Sequence, residues 1–210
     1  MYKKKFFFIV FEGVEGTGKS FQIKKLFNNL KKRKIQVLKT REPGGSKTAE
    51  KIRKLIFQKN SNKFDSLTDY YLMLAARNEH IIKTLLKAKK NKIIVISDRF
   101  TDSTYAYQVV GNKISQEINL INKKYILKNI KPNLTIVLKS NFDTIFSRLK
   151  KRANKNKFDK LNRAFYIKAQ NAFLNIANKN KKSYLIFDSS LNDSSLEKKI
   201  CTLVLKKIKY

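Results

Sequence analysis

Eight consecutive residues, Gly13-Val14-Glu15-Gly16-Thr17-Gly18-Lys19-Ser20, fit the pattern G-x-x-x-x-G-K-[ST]. They follow a short apolar run and precede a helical pattern, the context that gives this motif its meaning. Glycines let the backbone curl until successive amides point inward at phosphate oxygens. The helix that follows adds its positive N-terminal end. Lys19 can then reach the β- and γ-phosphates, and the Ser20 hydroxyl can ligand Mg²⁺. This predicts binding of a nucleoside triphosphate. GTPases, ATPases, nucleotide kinases and shikimate kinases share the loop, so it does not choose among them.

A second set of polar residues stands at the ends of two further apolar runs. Thr40-Arg41-Glu42-Pro43-Gly44-Gly45 follows one of them. Arg41 carries a planar cation suited to a phosphate, and Glu42-Pro43 is a tight bend able to hold a cis bond. Asp98-Arg99 ends the next run, where an aspartate of a phosphate-loop protein holds Mg²⁺ and Arg99 can bind a transferring phosphate. Ser103, Tyr107 and Gln108 come next; Ser103 and Tyr107 are four apart, so on a helix they face one pocket. Phosphoryl transfer asks a protein mainly for positioning and charge neutralisation. Lys19, Ser20, Arg41, Asp98 and Arg99 supply both without imidazole or thiol. The one histidine, His80, and the one cysteine, Cys201, are accordingly read as a surface or interface residue and a core residue.

Thr40–Gly45, Leu74-Ala75-Ala76-Arg77, Asp98-Arg99-Phe100 and Ser103-Thr104-Tyr105-Ala106-Tyr107-Gln108, in this order and spacing, resemble bacterial thymidylate kinases, from Phe6 to about Asp188. The resemblance implies a three-layer P-loop kinase fold with a small lid, and transfer of the γ-phosphoryl of ATP to dTMP, giving dTDP and ADP. It implies that Arg41 and Arg99 hold the dTMP phosphate and Arg77 hydrogen-bonds the thymine. Tyr107 would crowd the sugar 2′ position, Ser103 and Gln108 would line the nucleoside pocket, and Glu12 would sit near the 3′-hydroxyl and the phosphates. It further implies Mg²⁺ as cofactor and a homodimer. In this family a catalytic cation comes from the phosphate loop or from the lid. Glu15-Gly16 leaves the loop without one, so the lid, about residues 148–160, must supply it. Relatives carry D-R-x-E there; this chain has Asn156-Lys157-Phe158-Asp159. Lysine keeps the charge but loses the planar fork, so Arg152 and Lys157 are both candidates. The family stacks thymine on a phenylalanine four residues before the arginine; here that position is Met73, a looser platform, with Tyr70 or Tyr71 as possible substitutes. The departure at Met73 keeps a kinase for another nucleoside or monophosphate in view, and a basic nucleic-acid-binding protein without turnover is the alternative of another class.

The elements that must position these residues are legible as alternation. Phe6–Phe11, Ile35–Lys39, Ile93–Ile96, Leu134–Leu138 and Tyr184–Phe187 read as strands, continuous rather than alternating, as expected for strands covered on both faces. Between and after them, Ser20–Lys32, Lys47–Phe57, Asp65–Ala88, Ser115–Asn129, Phe142–Lys151, Arg163–Asn178 and Asp193–Lys207 read as helices. Such alternation predicts an α/β fold: a five-stranded parallel sheet with helices on both faces and ligands at the carboxyl ends of the strands. Helices 65–88 and 115–129 carry apolar residues beyond one stripe, which suits a dimer contact.

With 210 residues, 42% of them hydrophobic, the chain fits one domain with a lid segment. The longest apolar run, Phe6–Phe11, is far shorter than the ~20 residues of a membrane span. The start Met1-Tyr2-Lys3-Lys4-Lys5 is basic but lacks the long apolar core and small-residue site of a secretory signal. A cytoplasmic protein without a membrane partner is expected. The net charge of +33 is extreme, but 40 of the 48 basic residues are Lys and they are scattered along the chain. That pattern reads as a solvated surface, with no specific nucleic-acid partner and only weak, salt-sensitive binding to polyanions.

Overall fold

The computed structural model describes residues 5–58, 64–153, 156–190 and 194–209. Residues 154 and 155 of the expected lid, residues 1–4 of the basic start and residue 193 of the expected last helix lie outside the described residues. Five strands form one parallel sheet: β1 (Phe7–Glu12), β2 (Val37–Arg41), β3 (Ile94–Asp98), β4 (Leu134–Lys139) and β5 (Tyr184–Asp188). Their spatial order is β2-β3-β1-β4-β5. The order reverses at β1, and such a switch point is where open parallel sheets bind ligands.

Alternation within β1 shows why its apolar run is unbroken. Phe7, Ile9 and Phe11 pack on one face against Ile23, Leu26 and Leu30 of α1 (Lys19–Lys32) and Ile200 and Val204 of α9 (Ser194–Lys207). Phe8 and Val10 pack on the other against Ile81 and Leu85, which continue α3 (Ser66–His80). Both faces are buried, so both must be apolar. A third cluster joins Val14, Tyr107, Ile145 of α7 (Phe142–Lys150), and Tyr166 and Phe173 of α8 (Arg163–Lys179). Cys201 is buried beside α1.

The expected helix over 65–88 is present but not uniform. α3 runs into a π-helical segment, Ile81–Leu85, before α4 (Leu86–Lys90). Another π segment, Tyr105–Gly111, follows the short helix α5 (Thr101–Thr104), and a third, Asn122–Ile126, follows α6 (Gln116–Ile121). The wider turn shifts which side chains share a face, and such turns concentrate at functional sites.

Register sets the functional residues level with one another. Phe11 and Arg41 both pair with Asp98, from the two sides of β3. The phosphate loop, the Arg41 turn and the Asp98-Arg99 turn therefore emerge side by side from one end of the sheet.

Candidate active site

Among the described helices of eight or more residues, α2 (Lys47–Ile56), α3, α7 and α8 are capped by side chains of Ser46, Asp65, Asn141 and Asn162. Helix α1 is different: its cap is Gly18, with no side-chain acceptor and no acid in its first turn. The orphan amides of that turn are left for an external anion. Gly16 lets the preceding loop fold tightly, with φ of 78° and a Cβ position only 2.9 Å from the Ile145 carbonyl oxygen. Lys19 Nζ lies 2.9 Å from the carbonyls of both Gly13 and Val14. Burial and the nearby Arg99 push its pKa down to about 8.

These groups open onto a cleft of about 620 Å³ at the carboxyl ends of the strands. Glu15, Gly16, Gly18, Lys19, Ser20, Arg41, Met73, Arg77, Asp98, Arg99, Ser103, Tyr107, Gln108 and Arg152 line it. The sequence names all of these. Gly13, Val14 and Thr17 do not line it; Thr17 Oγ1 donates to the Val14 carbonyl, and Val14 is core.

Glu12 requires a correction. It is expected at the sugar, but it is fully buried outside the cleft wall. Its carboxylate accepts from Phe100 N at 2.8 Å and from Ser103 Oγ at 2.6 Å. Burial and the neighbouring Asp102 push its pKa up to about 7. Glu15, three residues on, does line the cleft; it is ion-paired with Arg99 Nη2 at 2.8 Å and accepts from the Tyr107 hydroxyl. Arg99 also donates to Ser103 Oγ at 2.8 Å. Its backbone adopts φ of 73°, a conformation rare outside glycine and concentrated at functional sites. Burial opposes its charge, but Tyr107, Glu15 and Asp98 more than offset that and raise its pKa.

Arg77 is almost wholly buried. Its Nε donates to Glu42 at 2.8 Å, and Nη2 donates to the Phe100 carbonyl and Thr104 Oγ1. Nη1 is buried without a protein partner, although Arg77 lines the cleft. Tyr70 and Tyr71 do not compensate for Met73, because neither lines the cleft: Tyr70 is core and Tyr71 is exposed. Phe57, Phe100 and Phe158 line it instead. His80 also requires a correction, since it is completely buried rather than on the surface. The peptide Glu42-Pro43 is cis.

The expected lid separates its two cations. Arg152 lines the cleft and is held by the buried Asp159 at 2.7 Å. Lys157 does not line it; its ammonium pairs with Asp69 on α3. Asn156 and Asp159 form a capping box on the short turn Lys157–Lys160. Phe158 packs edge-on against Phe57 and Tyr107, with ring centroids 5.8 and 5.4 Å apart.

Sequence reasoning missed Arg53, Arg148 and Lys151, which also line the cleft. Arg53 lies one helical turn beyond Glu50, the partner of Arg41, and its Nη1 donates to the Pro43 carbonyl at 2.8 Å. The amphipathic spacing of α2 could have pointed to it. Among the described residues, the cleft wall thus carries eight cations (Lys19, Arg41, Arg53, Arg77, Arg99, Arg148, Lys151, Arg152) against the three acids Glu15, Glu42 and Asp98. Such an excess suits polyanionic occupants.

Ser20 Oγ and Asp98 Oδ2 are 3.1 Å apart, and Asp98 Oδ1 is buried without a partner. No group of three or more metal-ligating side chains occurs among the described residues. Two hard oxygens fit Mg²⁺ held mostly by water and substrate phosphates. Among the described residues, no helix is long and apolar enough to cross a membrane.

Residues 11–200 match the family model described as thymidylate kinase. The thymidylate kinase of Mycoplasma capricolum subsp. capricolum is 35% identical over 208 residues, covering 96% of each chain. That of Mycoplasma genitalium is 38% identical over 200 residues, 94% of this chain and 85% of the relative. The crystal structure of thymidylate kinase from Ehrlichia chaffeensis superposes with a TM-score of 0.76 at 26% identity, over 95% of this chain and 99% of that one.

Proposed function

This chain belongs to the thymidylate kinase family and phosphorylates dTMP with ATP, and we propose that it does so in the cleft just described. The observation that carries this assignment of the site is one cavity with two cationic halves. On one side stand the uncapped start of α1 and Lys19; on the other stand Arg99 and Arg77. The first half takes the triphosphate of ATP. Lys19 leaves the loop carbonyls for the phosphate oxygens, where its charge is neutralised by substrate rather than diminished by burial.

In the second half, Arg99 holds the acceptor phosphate, with Arg41 at the rim and Arg53 behind it. Arg77 offers Nη1 to the base, and Met73 and Gln108 line the base pocket. Tyr107 and Ser103 bound the sugar. Glu15, rather than Glu12, is the carboxylate on the sugar side, and Glu12 fixes the Phe100–Ser103 turn from behind. Ser20 and Asp98 would hold Mg²⁺, which when bound neutralises charge on the β- and γ-oxygens. Arg152 is the lid cation that meets the moving phosphoryl group, and Lys157 fastens the lid to α3. We take the whole chain as one domain, with 148–160 as its lid, acting in the cytoplasm as a homodimer.

An ADP-release assay with each nucleoside monophosphate tests the reading. The expected result is a clear preference for dTMP, lost in Arg99→Ala while an ATP analogue still binds. Faster turnover with AMP, GMP or CMP overturns it.

A further inference from the structure

The phosphate chemistry leaves one buried polar assembly unused. His80, at the end of α3, has no exposed surface. Its Nδ1 is 2.9 Å from Glu42 Oε1, and its Nε2 is 2.8 Å from Thr40 Oγ1. A carboxylate only accepts, so Nδ1 carries the proton in the first of these bonds. The other oxygen of Glu42 accepts from Arg77 Nε at 2.8 Å. One carboxylate is therefore shared between an imidazole and a guanidinium, all three nearly out of water. Burial opposes the charge on Glu42, but Arg77 and His80 outweigh it and lower its pKa.

The backbone is arranged around this ring. Gly45 has φ of 86°, and a Cβ there would lie 2.6 Å from His80 Cδ2 and closer still to Thr40 Oγ1. The Gly45 carbonyl accepts from Thr84 Oγ1 at 2.7 Å, one helical turn beyond His80. Glycine is needed at this position because the imidazole occupies the space.

Arg77 is thus held at Nε by Glu42 and at Nη2 by Phe100 and Thr104, which leaves Nη1 as its nitrogen without a protein partner. Without the grip on Nε, only the two bonds at Nη2 hold the guanidinium, and its Nη1 edge is less firmly aimed.

We propose that His80 is a positioning residue for recognition of the acceptor base: by fixing Glu42 it fixes the Arg77 guanidinium with Nη1 available. Through Thr40 it also ties that grip to the strand end that carries Arg41. The inference rests on the reading that Arg77 meets the base of dTMP.

His80→Asn and His80→Gln separate the two bonds. Asparagine places its amide nitrogen near the position of Nδ1 and can still donate to Glu42; glutamine reaches toward Thr40 and loses Glu42. His80→Gln should raise the KM for dTMP roughly tenfold, the effect of losing one hydrogen bond to a charged group. KM for ATP and kcat should stay within about twofold, and His80→Asn should remain close to the parent protein. Equal dTMP KM values in all three proteins, or parallel rises for dTMP and ATP, overturn the proposal.

Arg77→Ala distinguishes the two layers of the argument. If it leaves the dTMP KM unchanged, the base-reading role of Arg77 fails and the proposal falls with it. If it raises that KM while His80→Gln does not, the base-reading role stands and the proposal alone fails. If both raise it, adding His80→Gln to Arg77→Ala should cause no further increase. A further rise shows that His80 acts elsewhere and overturns the proposal.

Should the variants not fold, the parent protein still decides. His80 is the sole histidine, so its imidazole NMR signals are its own. They should shift on saturation with dTMP and stay in place with an ATP analogue; no shift with dTMP overturns the proposal.

Discussion

Lys19 is held by two backbone carbonyls, which take two of its three donors without neutralising its charge. Its pKa near 8 has a direct consequence for substrate binding. Bound triphosphate favours the protonated form, so binding must take up a proton once the empty site has lost one. The ATP dissociation constant should rise as pH passes 8, roughly tenfold for each unit beyond it. Calorimetry between pH 7 and 9 measures this, and a flat profile would show that Lys19 keeps its proton in the empty site. Glu12 titrates with the opposite consequence for the fold. Its folded pKa of about 7 lies above the ordinary 4.5 of a glutamate, so its stabilising contribution is complete below 4.5 and is lost as pH rises through 7. The groups with depressed values, Glu15, Glu42 and Glu50, lose their contributions only on acidification below their ordinary range. Between pH 5 and 8, urea unfolding of the parent protein should therefore show a loss on the order of 2 kcal/mol from Glu12, joined by that of the neighbouring Asp102, whose pKa is also raised, and Glu12→Gln should make the total smaller. Identical slopes in the two proteins would refute the assignment. At this scale the phosphate loop was legible because its eight residues are contiguous and its chemistry is local. The burial of Glu12 and the place of Glu15 in the cleft wall were not read, although strand parity contained the first. Glu12 continues the face of Phe8 and Val10, which looks toward Phe100 rather than into the cleft. His80 was beyond reach, because its partners lie 38 and 40 positions away in sequence.

The turn at Lys157–Lys160 shows how an element can separate two cations five residues apart. Asp159, with its side chain wholly buried, fixes Arg152, while Asp69 draws Lys157 toward α3. Arg152→Ala should therefore lower kcat about 100-fold or more, the scale for losing a charged donor at the transition state. Lys157→Ala should cost about tenfold or less, because it removes a tether and no reacting contact. Steady-state kinetics on the two variants checks this, and the reverse ranking would place Lys157 at the phosphoryl group. In this turn Asn156 serves as a helix cap where relatives carry an acid, a residue that caps equally well, so capping does not account for the departure. Element types were readable along most of the chain because buried parallel strands and amphipathic helices have different periods. The second strand begins at Val37 rather than Ile35, since burial of Ile35 in the turn before it imitates a strand residue. The π segments at 81–85 and 105–111 were not legible, because one extra residue in a turn leaves the apolar pattern almost unchanged.

At the scale of the molecule, charge and exposed apolar surface set the expectations. With 48 basic and 15 acidic residues, the protein repels its own copies at long range, so a homodimer needs a substantial apolar contact. Tyr71 on α3 and Leu120 and Tyr125 around α6 are 48%, 56% and 62% exposed, on the two helical regions whose apolar residues exceed one stripe. Sedimentation at micromolar concentration should give a dimer that tightens with salt as repulsion is screened. Tyr125→Glu should shift it toward monomer, and a monomer at every salt concentration would overturn the assignment. The bare start of α1 has its own consequence at this scale. No side chain caps its first turn, so bound nucleotide completes a helix at the centre of the molecule. Heat tolerance should then follow the nucleotide supply, and a cell short of triphosphate would hold a softer enzyme.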